Sequence, residues 1–373
     1  MSGNPHSTFL GVSDEESGLN SDIYNSTFGF EKIFVVSLPS RTDRRDAITL
    51  SAALSGIEVE FIDGLQGQDV PDKAIPSGPD QERMGDASIG SWRGHMNAIQ
   101  EIVRRNLSSA LILEDDVDWD VRIKDQLRDF ALSSRALTQP LLRESDHPYA
   151  DVTYPYPSEG DSYIDLGRSS PDILFTEMPP TQPPRTSPYG DNWALLWLGQ
   201  CGLTFPREDG KGLIPKGRVV HMDDETVAEK RHLTTWTKPD ELKAQYPDHT
   251  RVVHHAYQPL CSLGYAVTQR TARQLLHELG LKPFDRAFDL LLASFCDGGA
   301  GRGHHDCLSL QPGLFHNHLP AGPRRAESDI SDHGNGYDEI AKTPNVRFSV
   351  RMNAGALLDG LPLTDQFPDL PAV

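Results

Sequence analysis

LILEDDVDWD, residues Leu111 to Asp120, is the stretch on which the reading of this chain turns. An apolar run ends in five acids within seven positions, broken only by Val117 and Trp119. Carboxylates this close raise one another's pKa, so a positive partner is expected beside them. Hard divalent cations take carboxylate oxygens, and a strand end turns alternate side chains to one side. Glu114 with Asp116, or Asp116 with Asp118, can therefore share an ion. Mn2+ or Mg2+ held by one or two carboxylates completes its shell with water and substrate phosphates, which points to a metal-bound diphosphate.

Three other readings compete for the same residues. Asp116, Asp118 and Asp120 begin like an EF-hand loop, but Val121 and Leu127 replace its glycine and terminal glutamate, so that reading fails. A haloacid-dehalogenase-type phosphatase also carries D-x-D after a strand, with Asp223 and Asp224 as a possible later acid pair. Its acids, however, follow the first strand of the fold. The third reading is a solvated acidic turn.

The flanking pattern supplies the context. KIFVVSL reads as a buried strand, followed by SRTDRRDAITLSAAL as a helix with Ser40 or Thr42 as cap and Ile48, Leu50 and Leu54 as its apolar stripe. VEFIDG is a second strand, SWRGHMNAIQEIVRRN a second helix, and ALILEDD a third strand. This alternation predicts an α/β fold with a mostly parallel sheet and right-handed crossovers. Ligands of such sheets sit at the carboxyl ends of the strands, where Ser37, Asp63 and the acid run converge. NWALLWLGQCG, RVVHH and LCSLGYAVT give further strands, and TARQLLHELGL and AFDLLLASFC further helices. Polarity divides the rest: residues 1–29 read as disordered, about 133–192 as a mobile Pro-rich insert in a domain spanning 30–330, and 331–373 as a loosely ordered C-terminal extension.

Composition excludes several classes. A net charge of −19 argues against broad nucleic-acid binding, which needs a basic face. No run of about 18 apolar residues occurs, so no membrane span is encoded. The N-terminus MSGNPHSTFLGVSDEESGLN has neither the basic flank nor the apolar core of a signal peptide. Cys201, Cys261, Cys296 and Cys307 lack paired CxxC spacing, which removes a zinc ribbon and permits two disulfides as readily as buried thiols. The histidines, among them His254, His255, His316 and His318, match no zinc spacing. The compartment stays open.

Taken in order, KIFVVSLPSRTDRR, FIDG, GSWRGHMNAIQEIV and LILEDDVDWD resemble glycosyltransferase family 25, whose members include procollagen and lipooligosaccharide galactosyltransferases. The family's L-x-x-R-x-D-R corresponds to Leu38, Arg41, Asp43 and Arg44, its G-x-x-x-S-H to Gly90 and His95, and its L-E-D-D to Leu113 through Asp116. The chain departs from the pattern at Gly94, where serine is usual, and at Ala194 and Gln200, where aspartate and histidine are usual. The resemblance implies a GT-A-like, Rossmann-like fold and inverting transfer of a sugar, galactose by analogy, from a UDP-sugar to a glycan or protein hydroxyl. It implies Asp289 as general base, with Asp285 four residues earlier on the same helical face. Arg41 and Arg44 would meet the diphosphate, Asp63 the uracil or ribose, and Asp115 the sugar or ribose. Gly264 and Tyr265 would approach the donor sugar. His95, read as lying in the first helical turn, would hydrogen-bond in its neutral form. A binding protein without turnover stands as the alternative.

Overall fold

A computed structural model describes residue 18 and residues 21–371, apart from 80, 144, 156–169, 208–213, 284, 327 and 331–333. β1 (Lys32–Ser37) lies between β2 (Glu60–Asp63) and β3 (Ser109–Glu114), parallel to both. Helices α1 (Thr42–Ser55) and α2 (Asp86–Arg104) make the crossovers. After β4 (Val117–Asp118) and α3 (Ile123–Thr138) come β5 (Ile173–Leu174), β6 (Leu195–Gly199), β7 (Arg218–His221), β8 (Arg251–His255) and β9 (Gly264–Thr268). Helices α4 (Gln269–Gly280) and α5 (Phe288–Asp297) lead to β10 (Cys307–Gln311) and β11 (His316–Asn317).

The central sheet has nine strands in the order β2-β1-β3-β9-β6-β10-β8-β7-β5. Following the pairings, β1, β2, β3, β5, β6, β7 and β10 point one way, and β8 and β9 run against them. The α/β class and the Rossmann-like first half read from the sequence therefore hold. Alternation explains the unbroken apolar strands: Ile33, Val35, Leu111 and Leu113 enter one core, and Phe34, Ala110 and Ile112 the other. One core layer includes Trp119 and α3; the other is roofed by α2, α4 and α5.

Local details differ from the sequence reading. Arg41, not Ser40 or Thr42, is the N-cap residue of α1, and no side chain caps that end. Ile48 is buried, but Leu50 is 40% exposed. Helix α2 starts at Asp86, well before Ser91, because Ile89, Trp92, Met96 and Ile99 continue one apolar face. Gly90 lets that helix touch the loop after β2: a Cβ there would sit 2.7 Å from the Leu65 carbonyl oxygen.

Three segments are better ordered than their polarity implied. Residues 1–17 lie outside the described set, but Ile23 and Phe28 sit in the core, each worth about 1.5–3 kcal/mol of burial. Within the Pro-rich stretch, residues 133–138 complete α3, and Tyr189 is fully buried with its ring stacked 4.8 Å from Phe30. The C-terminal segment is no loose extension either. Val346, Ser349 and Val350 are buried, and Val350 N donates to the Trp119 carbonyl at 2.9 Å.

Candidate functional site

Glu114 closes β3 at the carboxyl edge of the sheet. Its Oε1 accepts from Ser262 Oγ at 2.8 Å and lies 3.5 Å from His95 Nε2. Burial works to raise its carboxyl, but His95 and then Ser262 and Arg44 outweigh it and hold the group below the usual range. His95 is anchored from three sides: Nδ1 lies 3.1 Å from Tyr265 Oη, Nε2 lies 3.3 Å from Ser262 Oγ, and the ring stacks on Phe288 at 4.3 Å. Since α2 begins at Asp86, His95 stands mid-helix and the helix N-terminus does not act on it. The sequence reading missed Ser262, although a hydroxyl inside the apolar LCSLGYAVT was a visible signal.

The turn after Glu114 holds the next two acids. Arg44 Nη1 donates to Asp115 Oδ1 at 2.6 Å and stands 3.5 Å from Asp116 Oδ2. Asp116 Oδ1 is withdrawn from solvent and has no hydrogen-bond partner among the described residues. Burial, with Glu114 and Asp115 nearby, pushes the Asp116 carboxyl up to about 6; Arg44 and Arg351 only partly offset it. Arg41 turns outward to Asp43 and Asp329. Ser37 and Asp63 are brought together by Arg45, which the sequence reading passed over: it donates to the Ser37 carbonyl at 3.0 Å and to Asp63 at 2.5 Å.

Several expected roles do not survive. Asp118 is fully buried and faces the C-terminal segment, where Thr343 Oγ1 donates to it at 2.6 Å, Ser349 Oγ donates to the same oxygen, and Arg351 N donates at 3.2 Å. Its lone pairs are consumed, so it is a structural acid and not a partner of Asp116 in metal binding. Asp285 lies before α5, exposed and paired with Arg286 at 2.8 Å, so it shares no helical face with Asp289. Tyr265 is buried and serves His95. Gly264 has its side-chain space taken by Leu113 and Phe315, each 3.0 Å from a notional Cβ, so strand packing accounts for it. The phosphatase pairing fails because Asp224 is bound to Arg251 at 2.8 Å and to Thr226.

Asp289 does join the site. It opens α5, and its Oδ2 accepts from Cys261 N at 2.8 Å, one residue before Ser262. Cys261 is disulfide-bonded to Cys201, and Cys296 to Cys307. Among the described residues, no three His, Cys, Asp or Glu side chains are arranged to hold a metal ion. The orphaned Asp116 Oδ1 beside the Glu114 carboxylate nevertheless fits a hard cation that takes one or two protein oxygens and the rest from water and phosphate. A cleft of about 440 Å³ lies elsewhere, between Phe205, Arg218, Glu241 and Gln245, and contains none of these groups.

Residues 30–154 match the model of glycosyltransferase family 25 (LPS biosynthesis protein). Procollagen galactosyltransferase 2 of Mus musculus is 26% identical over 115 residues, which is 28% of this chain and 18% of that protein. A glycosyltransferase 25 family member of Anopheles gambiae is 23% identical over 177 residues, covering 42% of this chain and 30% of its own length. The inactive glycosyltransferase 25 family member 3 of Homo sapiens is 27% identical over 113 residues, 27% of this chain and 19% of that protein. The chain thus spans less than a third of these relatives. The matched segment carries β1 to β3 and the acid run, while Ser262, Tyr265, Asp289 and Arg351 reach the site from outside it.

Proposed function

We propose that this protein transfers a hexose, galactose in the first instance, from a UDP-sugar to a hydroxyl acceptor with inversion and metal assistance. One observation carries the reading: a buried, unpartnered carboxylate oxygen on Asp116, beside Arg44, at the strand edge of a family 25 segment. Asp116 and Glu114 would hold Mn2+ or Mg2+, which when bound supplies Lewis-acid stabilisation of the departing diphosphate. Arg44 adds a fixed positive charge on the same side, and the His95–Ser262 pair fixes the Glu114 carboxylate so that it does not turn. Asp289 would take the acceptor hydroxyl's proton. Its oxygens each accept one backbone N–H, from Leu290 and Cys261, which leaves lone pairs free and orients them.

The acceptor is a protein or glycan hydroxyl, and a collagen-like peptide is the first to try because a relative is named a procollagen galactosyltransferase. Two disulfides support folding in an oxidising compartment. Calorimetry of UDP with and without manganese, followed by a UDP-release screen across UDP-sugars, tests the proposal. Metal-enhanced UDP binding and release from one donor are expected; UDP binding that ignores metal overturns it. A binding protein without turnover is favoured by a different observation. The Gln200 amide, standing where family members carry histidine, is turned inward to the Leu310 carbonyl at 3.2 Å, and Ala194 offers no polar side chain. Tight UDP-sugar binding with no release on any acceptor would select that second reading.

A further inference from the structure

The C-terminal segment reaches the acid run from more than two hundred residues away in sequence. Val121 N donates to the Phe348 carbonyl and Val350 N to the Trp119 carbonyl, both at 2.9 Å, so residues 348–350 lie beside residues 119–121 as an extra ribbon. Asp120 Oδ2 accepts from Phe348 N at 3.1 Å, and Asp118 from Thr343 and Ser349. This anchorage delivers one cation. Arg351 N donates to Asp118 at 3.2 Å, and its guanidinium reaches the Asp115 carbonyl at 2.9 Å, on the same turn that Arg44 grips from the other element.

What Arg351 lacks is as informative as what it touches. Among the described residues, its Nε is withdrawn from solvent without an acceptor, and no carboxylate side chain lies within hydrogen-bond reach of the guanidinium. A guanidinium has five N–H donors in a planar fork, and leaving buried donors unmet is costly unless a partner arrives. The neighbouring orphan, Asp116 Oδ1, is an acceptor without a donor. An unmet Nε–H on Arg351 and an unmet Oδ1 on Asp116, both at the turn after Glu114, fit a ligand that brings both a metal ion and anionic oxygens.

We infer that Arg351 is a phosphate-binding residue of the donor site, its free N–H groups directed at the diphosphate of a metal-bound nucleoside diphosphate. The inference rests on the donor reading above and deepens it, because the C-terminal ribbon becomes part of the site. Arg44 and Arg351 then flank the diphosphate from two elements far apart in the chain, which a single helix end cannot do.

Binding of UDP and of uridine, both with manganese, to the wild type, Arg351→Gln and Arg351→Lys tests this. Arg351→Gln is expected to weaken UDP binding about tenfold or more while leaving uridine within about twofold, since only UDP offers charged oxygens to the fork. Arg351→Lys is expected to fall between, because an ammonium keeps the charge and loses the bidentate geometry. If the wild type binds UDP and both variants match it, the role of Arg351 is overturned and the donor reading stands. Equal weakening of UDP and uridine also overturns it, as that is the mark of a structural loss. A wild type that binds no UDP sinks the donor reading itself. Should Arg351→Gln fail to fold, Arg351→Lys decides alone, and unchanged UDP affinity overturns the inference.

Discussion

The two halves of the acid run live in opposite electrostatic worlds. Asp118 and Asp120 are saturated: Thr343, Ser349, Trp119 N and Arg351 N serve the first, and Arg122 and Phe348 N the second. Glu114 and Asp116, only two to four residues earlier, keep unspent valence, and Asp116 Oδ1 has no hydrogen-bond partner among the described residues. Identical chemistry thus does different work according to which way the strand turns it. Acids that face the C-terminal ribbon hold the fold together; acids that face the edge of the sheet keep oxygens that the fold does not use.

The largest effect expected from this contrast is on stability at the saturated end. Asp118→Ala strands two hydroxyls and two backbone N–H groups in the interior and should cost about 3–5 kcal/mol. Thermal denaturation would read the loss, and limited proteolysis should now cut the chain beyond residue 340. A stability change below about 1 kcal/mol would break the comparison, because Asp118 would then have no structural burden.

Asp116→Asn tests the other half and should leave the fold intact while lowering the proposed sugar transfer about 10²- to 10³-fold, the effect expected if its carboxylate acts on the departing charge. Its carboxyl is pushed up to about 6, so between roughly pH 4 and pH 6 the folded state keeps a proton that the unfolded state has released. That contribution to stability is fully present below the unfolded value and is lost as the pH rises through the folded one. Melting temperatures measured from pH 4 to pH 7 should therefore show a fall for the wild type that the asparagine variant lacks. Matching profiles would mean that Asp116 carries no such strain.

How much of this was legible beforehand follows from the range of the interactions. β1 and β3 are apolar on both faces, so KIFVVS and SALILE announced themselves, and the acids at the strand end marked the edge. The sequence reading starts α2 too late because its opening Asp-Ala-Ser-Ile-Gly is polar around Ile89, although Ile89, Trp92, Met96 and Ile99 keep helical spacing. No local period could pair Asp118 with Thr343 or Ser349, which lie 225 and 231 residues away in sequence. That blindness explains both errors at the acid run. The local pattern offers Asp118 to a metal and makes the ribbon that consumes it look like a loose tail. Ser262 was hidden differently, since a lone hydroxyl in an apolar run is ordinary until a carboxylate is found 2.8 Å away.

The smallest effect lies under the open half, at Gly94. Serine is usual here in the resembling family, and a serine would raise helix propensity by a few tenths of a kcal/mol relative to glycine. Space argues the other way: a Cβ on Gly94 would sit 2.7 Å from Val36 Cγ1, and valine has little rotamer freedom with which to retreat. Overpacking of this kind costs about 1–3 kcal/mol, so Gly94→Ser should be net destabilising by about 1 kcal/mol. The displaced helix would carry His95, the next residue, away from Glu114, weakening UDP binding slightly and leaving the Asp118 end untouched. Adding Val36→Ala should open the space and restore both stability and binding, which is a favourable coupling between neighbours that chemical denaturation of the four species measures. If the two substitutions prove additive, the contact between α2 and β1 does not set the position of His95, and its anchors Tyr265, Ser262 and Phe288 hold it instead.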